Sequence, residues 1–476
     1  MRSMVEGPPR SGVPRFLLHH ASKLARSPSP RQARGRFQHL PLSYSSRLCH
    51  SGRVLDLRAP NPTAPHERKL LNQATELPNG REMREASPPR LARLAAPPFH
   101  RFLDRIDAGL ESGAIDAYLP DGTHRLLGGR AHGPVPIVTI HRWRALIRLA
   151  LGGSVGWYEG WAAGDWSSPD PVPLFNLFMR NRVSLGGTAR SEGLFRQGLR
   201  WWHKRRANHP PGARRNIAAH YDLGNDFYRL WLNPTKTYSS AFFAAPNEPL
   251  EQAQRRKLQA ILDRTATKPG DRILEIGCGW GSFARLASKQ GRATHALTLS
   301  TEQKAHVDAL GLPDVTVSLT DYRDVAGTYD VVASIEMVEA VGQEYWPAYL
   351  DTVARVLKPG GRAAVQFISI ADDVFPAYAA GVDFIQRYVF PGGVLLSQSR
   401  FRALAEERGL EWRDQVSFGQ DYAETLRRWR EAFDSADLPA RYDARFRRLW
   451  RYYLQYCEGG FRGGGIDVHQ ITLVKR

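Results

Sequence analysis

Cysteine is scarce in this 476-residue chain: Cys49, Cys278 and Cys457 are the only three. That is too few for a disulfide framework or a four-cysteine zinc site, and no metal site is read from the sequence. No run approaches the roughly 18 uninterrupted apolar residues of a membrane span. Arg148 interrupts the nearest one, Ala145–Ala150. Acidic residues are also few, 47 against 66 Lys and Arg, for a formal charge of +19. These shortages lead us to expect a soluble chain in a reducing compartment, with nucleic acid or an anionic membrane surface as partner. Apolar residues, in contrast, make up 42% and aromatics 10%, enough for substantial cores and too much for a wholly disordered chain. The length implies two or three domains.

The positive charge is concentrated at the start. Through His100 there are 17 Lys or Arg against 6 Asp or Glu. Residues 1–94 are rich in Arg, Pro and Ser without sustained periodicity, and are expected to be a disordered basic arm. The arm suits phosphate groups, on nucleic acid or lipid. A transit peptide is a second reading, which Glu6 and the many prolines fit poorly. Met83 offers an alternative start, which would make residues 1–82 a non-native extension.

Residues 95–195 have the pattern of a small α+β domain. AYLPDGTHRLLGG reads as a hairpin turning at Asp121-Gly122, and Val135–Ile140 as a strand. HRWRALIRLALGG places Trp143, Leu146 and Leu149 at helical spacing and is expected to stop at Gly152-Gly153. GWYEGWAAGDW then reads as a buried turn region or a lipid-facing surface, with core packing the better fit for its aromatics. A basic linker, residues 196–215, carries Trp201 and Trp202 beside Lys204, Arg205 and Arg206. That combination suits an anionic membrane interface, stacked bases or a solvated link.

Beyond Pro269, short apolar runs (RILEI, THALTL, VTVSL, YDVVASI, RAAVQFI) alternate with polar helical segments, predicting a parallel sheet with helices on both faces. IDVHQITLVKR reads as a last strand, antiparallel at or near an edge. LEIGCGWGSFARLA places Gly277, Gly279 and Gly281 between a strand and a helix, where missing Cβ atoms permit a sharp turn and close approach to a ligand. Counted from Gly277, the dinucleotide pattern fails at Ser282; counted from Gly279, it is met in alanine form at Ala284. Context decides. Glu275 precedes the glycines, Asp321-Tyr322 follows the third strand, and Lys358–Gly361 makes a turn before the fifth. Thr298-Leu299-Ser300 ends the second strand, where a nicotinamide enzyme would carry an acidic ribose ligand. The set resembles class I S-adenosylmethionine-dependent methyltransferases.

Eight ordered blocks from about Asn216 to Arg476, among them TYSSAFF, GCGWGSFA, LTLSTEQ, MVEAVGQEYWPAYL, YVFPGG and FGQDYAETLRRW, resemble the cyclopropane-fatty-acyl-phospholipid synthase family, including the mycolic acid cyclopropane synthases. The resemblance implies an α/β fold: a seven-stranded Rossmann-like methyltransferase sheet with helical lipid-pocket insertions over residues 216–476, preceded by a lipid-binding-like small domain. It implies transfer of a one-carbon unit from S-adenosyl-L-methionine to a cis double bond in an unsaturated phospholipid acyl chain, giving a cyclopropane or a methyl- or methylene-branched chain. By position, the cofactor contacts are Tyr238, Ser239, Glu275, Gly277, Gly279, Gly281, Thr298, Leu299, Ser300, Gln303, Tyr322 and Arg323. Phe242, Phe243, Phe384, Tyr388 and Trp429 are candidates to steady a cation on the chain.

In the family a bound bicarbonate acts as base, held by a Cys, a Glu, a His and a Tyr. Here Glu339 and Tyr422 match, whereas Ser240 stands at the Cys position and Gln366 at the His position. Glutamine donates through its amide but does not titrate near neutrality. The departure puts ring closure in question more than methyl transfer. Glu336, three residues before Glu339, is expected on the same face of a helical first turn, and the pair offers a protein-borne base.

Two other classes compete. A nucleic-acid methyltransferase would use the basic arm, but the chain has no Pro-Pro-aromatic amine-methylation motif in its core. A non-catalytic lipid-binding homologue conflicts with the retained glycine loop, Glu339 and Tyr422. The expected location is cytoplasmic, peripherally associated with the inner membrane face. A homodimer would strengthen that docking by multivalency, and the sequence leaves it open.

Overall fold

The computed structural model describes residues 96–186 and 224–476. The basic arm, the linker with Trp201–Arg206 and residues 216–223 lie outside the described residues.

The small domain opens with α1 (Ala96–Gly109), then β1 (Ala114–Tyr118), β2 (His124–Gly128), β3 (Ile137–Ile140), α2 (Arg144–Ala162), β4 (Trp166–Ser167) and α3 (Val172–Arg180). The strands order as β2-β1-β3-β4. The hairpin forms as expected, with Ala114 opposite Gly128 and Tyr118 opposite His124. The expected helix stop at Gly152-Gly153 is only a kink. Gly153 takes φ 55°, ψ −135°, a conformation that only glycine adopts readily, and the helix resumes to Ala162. The aromatic stretch is therefore helix followed by a turn, and it is core: Trp157 stacks on Trp166 at 4.1 Å and accepts the Trp166 indole N–H on its carbonyl at 2.8 Å.

Asp165 ties the turn to α2. Its fully buried carboxylate accepts from Arg144 (2.8 and 3.0 Å), Arg148 (3.0 Å) and Arg142 (3.3 Å). Burial pushes its pKa up, but the hydrogen bonds from Arg144 and Arg142 and the charges of Arg144 and Arg148 outweigh that and hold it below the ordinary value. Asp165→Asn is expected to lower stability by about 2 kcal/mol at pH 7, discounted because the arginines are partly hydrated. A depressed folded pKa stabilises above the unfolded value, so the wild-type advantage should begin to shrink as pH falls below about 4 and be lost as pH falls through the lowered folded pKa. Urea midpoints of the two proteins at pH 7 and pH 3 check both parts.

The larger region runs α4 (Gly224–Arg229), α5 (Leu250–Thr265), β5 (Arg272–Ile276), α6 (Ser282–Lys289), β6 (Ala293–Thr298), α7 (Thr301–Asp308), β7 (Val315–Leu319) and β8 (Tyr329–Ile335). It continues with α8 (Trp346–Val356), β9 (Leu357–Ile370), α9 (Phe375–Ala379), α10 (Phe384–Tyr388), α11 (Gln398–Glu407), β10 (Leu410–Ser417), α12 (Gly419–Ser435), α13 (Ala444–Arg462) and β11 (Ile466–Lys475). The seven strands order as β10-β11-β9-β8-β5-β6-β7. β5 through β9 are parallel, and β11 lies antiparallel between β9 and β10, one place in from the edge. Central strands such as β5 are buried along nearly their whole length, which is why they read as continuous apolar runs. Lys358–Gly361 loops out within β9, where the register to β8 shifts between Tyr329 and Val331.

One hydrophobic core joins the two sheets, running from Leu127 and Trp143 to Trp450 and Tyr452. α3 lies so close to α13 that a Cβ on Gly459 would sit 2.4 Å from the Phe175 Cβ. Among the described residues no helix is long and apolar enough to cross a membrane.

Candidate active site

The carboxyl end of the sheet carries a cavity at the point where strand order reverses around β5, the usual ligand position in open α/β sheets. The β5–α6 turn forms one wall. Gly277, Gly279 and Gly281 take φ of 83°, 52° and 77°, and a Cβ on Gly279 would meet only open space. Glu275, at the end of β5, is buried; its Oε2 has no hydrogen-bond partner, and burial pushes its carboxyl up to about 8 against the opposing Ala284 backbone N–H. The Tyr322 hydroxyl is likewise buried without a partner. Opposite the glycines, the Thr298 hydroxyl donates to Gln303 Oε1 at 2.8 Å, and Arg323 grips Asp321 at 2.6 and 2.8 Å.

This donor set fits S-adenosylmethionine. Glu275 and its empty acceptor face suit a cationic group, the bare glycine backbone admits close approach, and the Tyr322 ring and Gln303 suit an aromatic base and its edge. Ten of the twelve expected cofactor residues border the cavity: Tyr238, Ser239, Glu275, Gly277, Gly279, Thr298, Leu299, Gln303, Tyr322 and Arg323. Gly281 and Ser300 do not. Gly281 packs under Val307, 2.9 Å from where its Cβ would be, and the Ser300 hydroxyl caps α7 by accepting from the Gln303 N–H at 3.2 Å. Both hold the wall from behind. Lys236, Met337, Ala340 and Val341 also border the cavity and were not anticipated; the β8 end, adjacent to β5 at the switch point, is the signal that would have found the last three.

Below the cavity lies a carboxylate cluster. Glu336 is not in a helical turn with Glu339, as expected. It follows β8 in a left-handed conformation, φ 50°, and Val338–Ala340 form only a short 3-10 turn. The two carboxylates meet β9 two residues apart instead: Glu336 Oε1 accepts from the Gln366 amide at 2.7 Å, and Glu339 accepts from the Ile368 N–H. Glu336 also accepts from the Ser240 N–H at 2.9 Å and from the Tyr422 hydroxyl at 2.9 Å. Burial raises the Glu336 pKa, opposed by the Lys257 charge and these three donors. Burial, with the Glu336 charge second, pushes Glu339 up to about 8. Lys257, fully buried, donates to the Ser239 hydroxyl and is drawn down to about 8 by burial, against the pull of Glu336.

The five aromatic candidates do not border the cavity. Phe384 is enclosed by Tyr158 and Tyr452, Tyr388 donates to Glu159 at 2.9 Å, and Phe242 packs on Phe418. Phe243 lies under the Arg428 guanidinium, and Trp429 is a step behind Tyr238. The rings on the cavity are Tyr238, Trp280, Phe283 and Tyr322.

Comparison with known proteins agrees with this geometry. Residues 209–471 match the family described as mycolic acid cyclopropane synthetase. The chain is similar to the tuberculostearic acid methyltransferase UfaA1 of Mycobacterium tuberculosis, 38% identical over 73% of this chain and 85% of the relative. It is also similar to the cyclopropane-fatty-acyl-phospholipid synthase of Escherichia coli K12, 34% identical over 68% and 84%. Among solved structures, mycolic acid cyclopropane synthase CmaA1 complexed with SAH and CTAB is 31% identical, with 55% of this chain and 98% of that one covered at a TM-score of 0.50. The sheet order, the glycine cradle and these matches agree: the chain belongs to the mycolic acid cyclopropane synthetase family and is an S-adenosylmethionine-dependent methyltransferase acting on lipids.

Proposed function

We propose that the protein transfers a one-carbon unit to the cis double bond of an unsaturated phospholipid acyl chain. The observation that carries this reading is that the cofactor cradle and one carboxylate, Glu336, border the same cavity. When bound, S-adenosylmethionine supplies an electrophilic methyl group. The protein's task is then to shelter positive charge on the acyl chain and to remove one proton. Tyr238 and Trp280 line the cavity, and a desolvated ring stabilises a cation by roughly 2 kcal/mol. Ser239, held by Lys257, and the glycine turn line the same cavity.

Loss of a proton from the transferred methyl with ring closure gives a cyclopropane. Loss from a neighbouring carbon, or from the methyl after a hydride shift, gives a methyl- or methylene-branched chain. The branched product is a second reading, favoured by the departures at Ser240 and Gln366 and by the name of the 38%-identical relative. Peripheral docking on an anionic membrane fits the +19 charge and the exposed Leu126, Val135 and Leu151 of the small domain.

The test is lipid mass spectrometry after expression in a host lacking its own cyclopropane synthase. Fatty acids heavier by one CH₂ are expected. A product that resists mild hydrogenation is a ring, and one that is reduced is branched. No mass change from folded, cofactor-binding protein would overturn the reading.

A further inference from the structure

The residues that would hold a bicarbonate already hold something else. Ser240, Gln366 and Tyr422 direct the Ser240 N–H, the Gln366 amide and the Tyr422 hydroxyl onto the two oxygens of Glu336, at 2.9, 2.7 and 2.9 Å. A bicarbonate there would lose these donors and would meet a like charge, so the residues present do not fit that anion. Resting on the reading above, we propose that the Glu336 carboxylate takes the place of a bound anion and is the base that accepts the proton lost from the acyl chain.

Four observations converge on this assignment. Of the five candidate catalytic residues, only Glu336 borders the cavity; the four expected at the anion site, Ser240, Gln366, Tyr422 and Glu339, stand behind it. Glu336 adopts φ 50°, a conformation that costs a non-glycine residue about 1 kcal/mol or more, and such strain collects where a side chain must be placed. The Gln366 amide is oriented from the far side: Gln470, its partner across β9 and β11, donates to Gln366 Oε1 at 3.0 Å, so the Gln366 NH₂ faces Glu336. Lys257, buried at Ser239, supplies the compensating positive charge without an ion pair to Glu336 within contact distance.

The chemistry asks little of base strength. A C–H bond beside a carbocation is strongly acidic, so placement and exclusion of water govern the step. The C–H bond breaks, and its electron pair fills the cationic carbon as a ring bond or a double bond. The proton forms an O–H bond on Glu336 and is returned to water when the product leaves. Gln366 cannot titrate, so it holds the acceptor without competing for the proton.

The experiment uses the full chain with S-adenosylmethionine and phosphatidylglycerol vesicles bearing cis-unsaturated chains, in buffer stripped of CO₂. Wild-type turnover is expected to be the same with and without added bicarbonate. Glu336→Gly, which removes the side chain while suiting the left-handed backbone, is expected to bind S-adenosylmethionine but turn over about 100-fold more slowly, the usual worth of a positioned base. Added bicarbonate or formate should restore much of that loss by filling the vacated donors. Wild-type turnover that requires bicarbonate, or full turnover by Glu336→Gln, would overturn the proposal while leaving the one-carbon reading intact. If wild type converts no phospholipid, that reading and the base role fail together, and binding of [¹³C]bicarbonate followed by NMR tests on its own whether Glu336 takes the anion's place. Binding by Glu336→Gly and not by wild type supports it; binding by wild type sinks it.

Discussion

Gly279→Leu is expected to cut S-adenosylmethionine affinity by at least about 100-fold while the protein stays folded. The position separates the two effects. Its φ of 52° lies in the left-handed region, where a side chain costs about 1–2 kcal/mol, a modest part of the roughly 5–15 kcal/mol that holds a domain. The added Cβ meets no protein atom within 4 Å, so folding meets no clash. The same empty space is the cavity wall, and four carbons placed there occupy the volume where the cofactor would approach the backbone. Gly281→Leu should behave in the opposite way. Its Cβ would lie 2.9 Å from a Val307 methyl, so the fold suffers first. Isothermal titration with S-adenosylmethionine, alongside thermal melts of both variants, checks the contrast; unchanged affinity in Gly279→Leu would place the cofactor elsewhere.

How much of this was legible in the sequence follows the range of the interactions involved. The glycine turn is a local matter of backbone geometry, so its three glycines and the strand and helix around it could be read directly. The strand runs were legible because buried parallel strands are apolar throughout, as RILEI is. Pattern position does not say which way a residue faces, and Gly281 and Ser300, expected at the cofactor, pack on Val307 and cap α7.

Glu336 shows where such reading stops. Spacing of three suggested a shared helical face with Glu339, but the backbone before the 3-10 turn is left-handed, and no local residue preference announces that for a glutamate. Its partners come from four separate places: Ser240 from a loop, Gln366 from β9, Tyr422 from α12 and, one contact further, Gln470 from β11. Only the register of the sheet brings them together. The aromatic candidates meet the same limit, since Phe384 and Trp429 are as suitable for a core as for a pocket, and packing places both in the core.

Cofactor affinity is expected to rise about tenfold per pH unit between pH 6 and 8 and then level off, because binding must take a proton from Glu275. Burial pushes this carboxyl up to about 8 in the ligand-free protein, with only the Ala284 N–H opposing, and its outer oxygen has no partner. It is therefore mostly neutral at pH 6. A cationic ligand in the cavity favours the ionised form, so the proton released on binding couples affinity to pH below about 8 and no longer does so above it. Calorimetric titrations in two buffers of different ionisation enthalpy should register close to one proton released per S-adenosylmethionine at pH 6. Glu275→Gln subtracts the ligand's own amino titration: its affinity should stay near the wild-type value at pH 6 and lose the rise toward pH 8. A wild-type affinity that follows the variant across the whole range would mean that Glu275 stays protonated beneath the bound cofactor, and that the glycine wall and Gln303 carry its recognition.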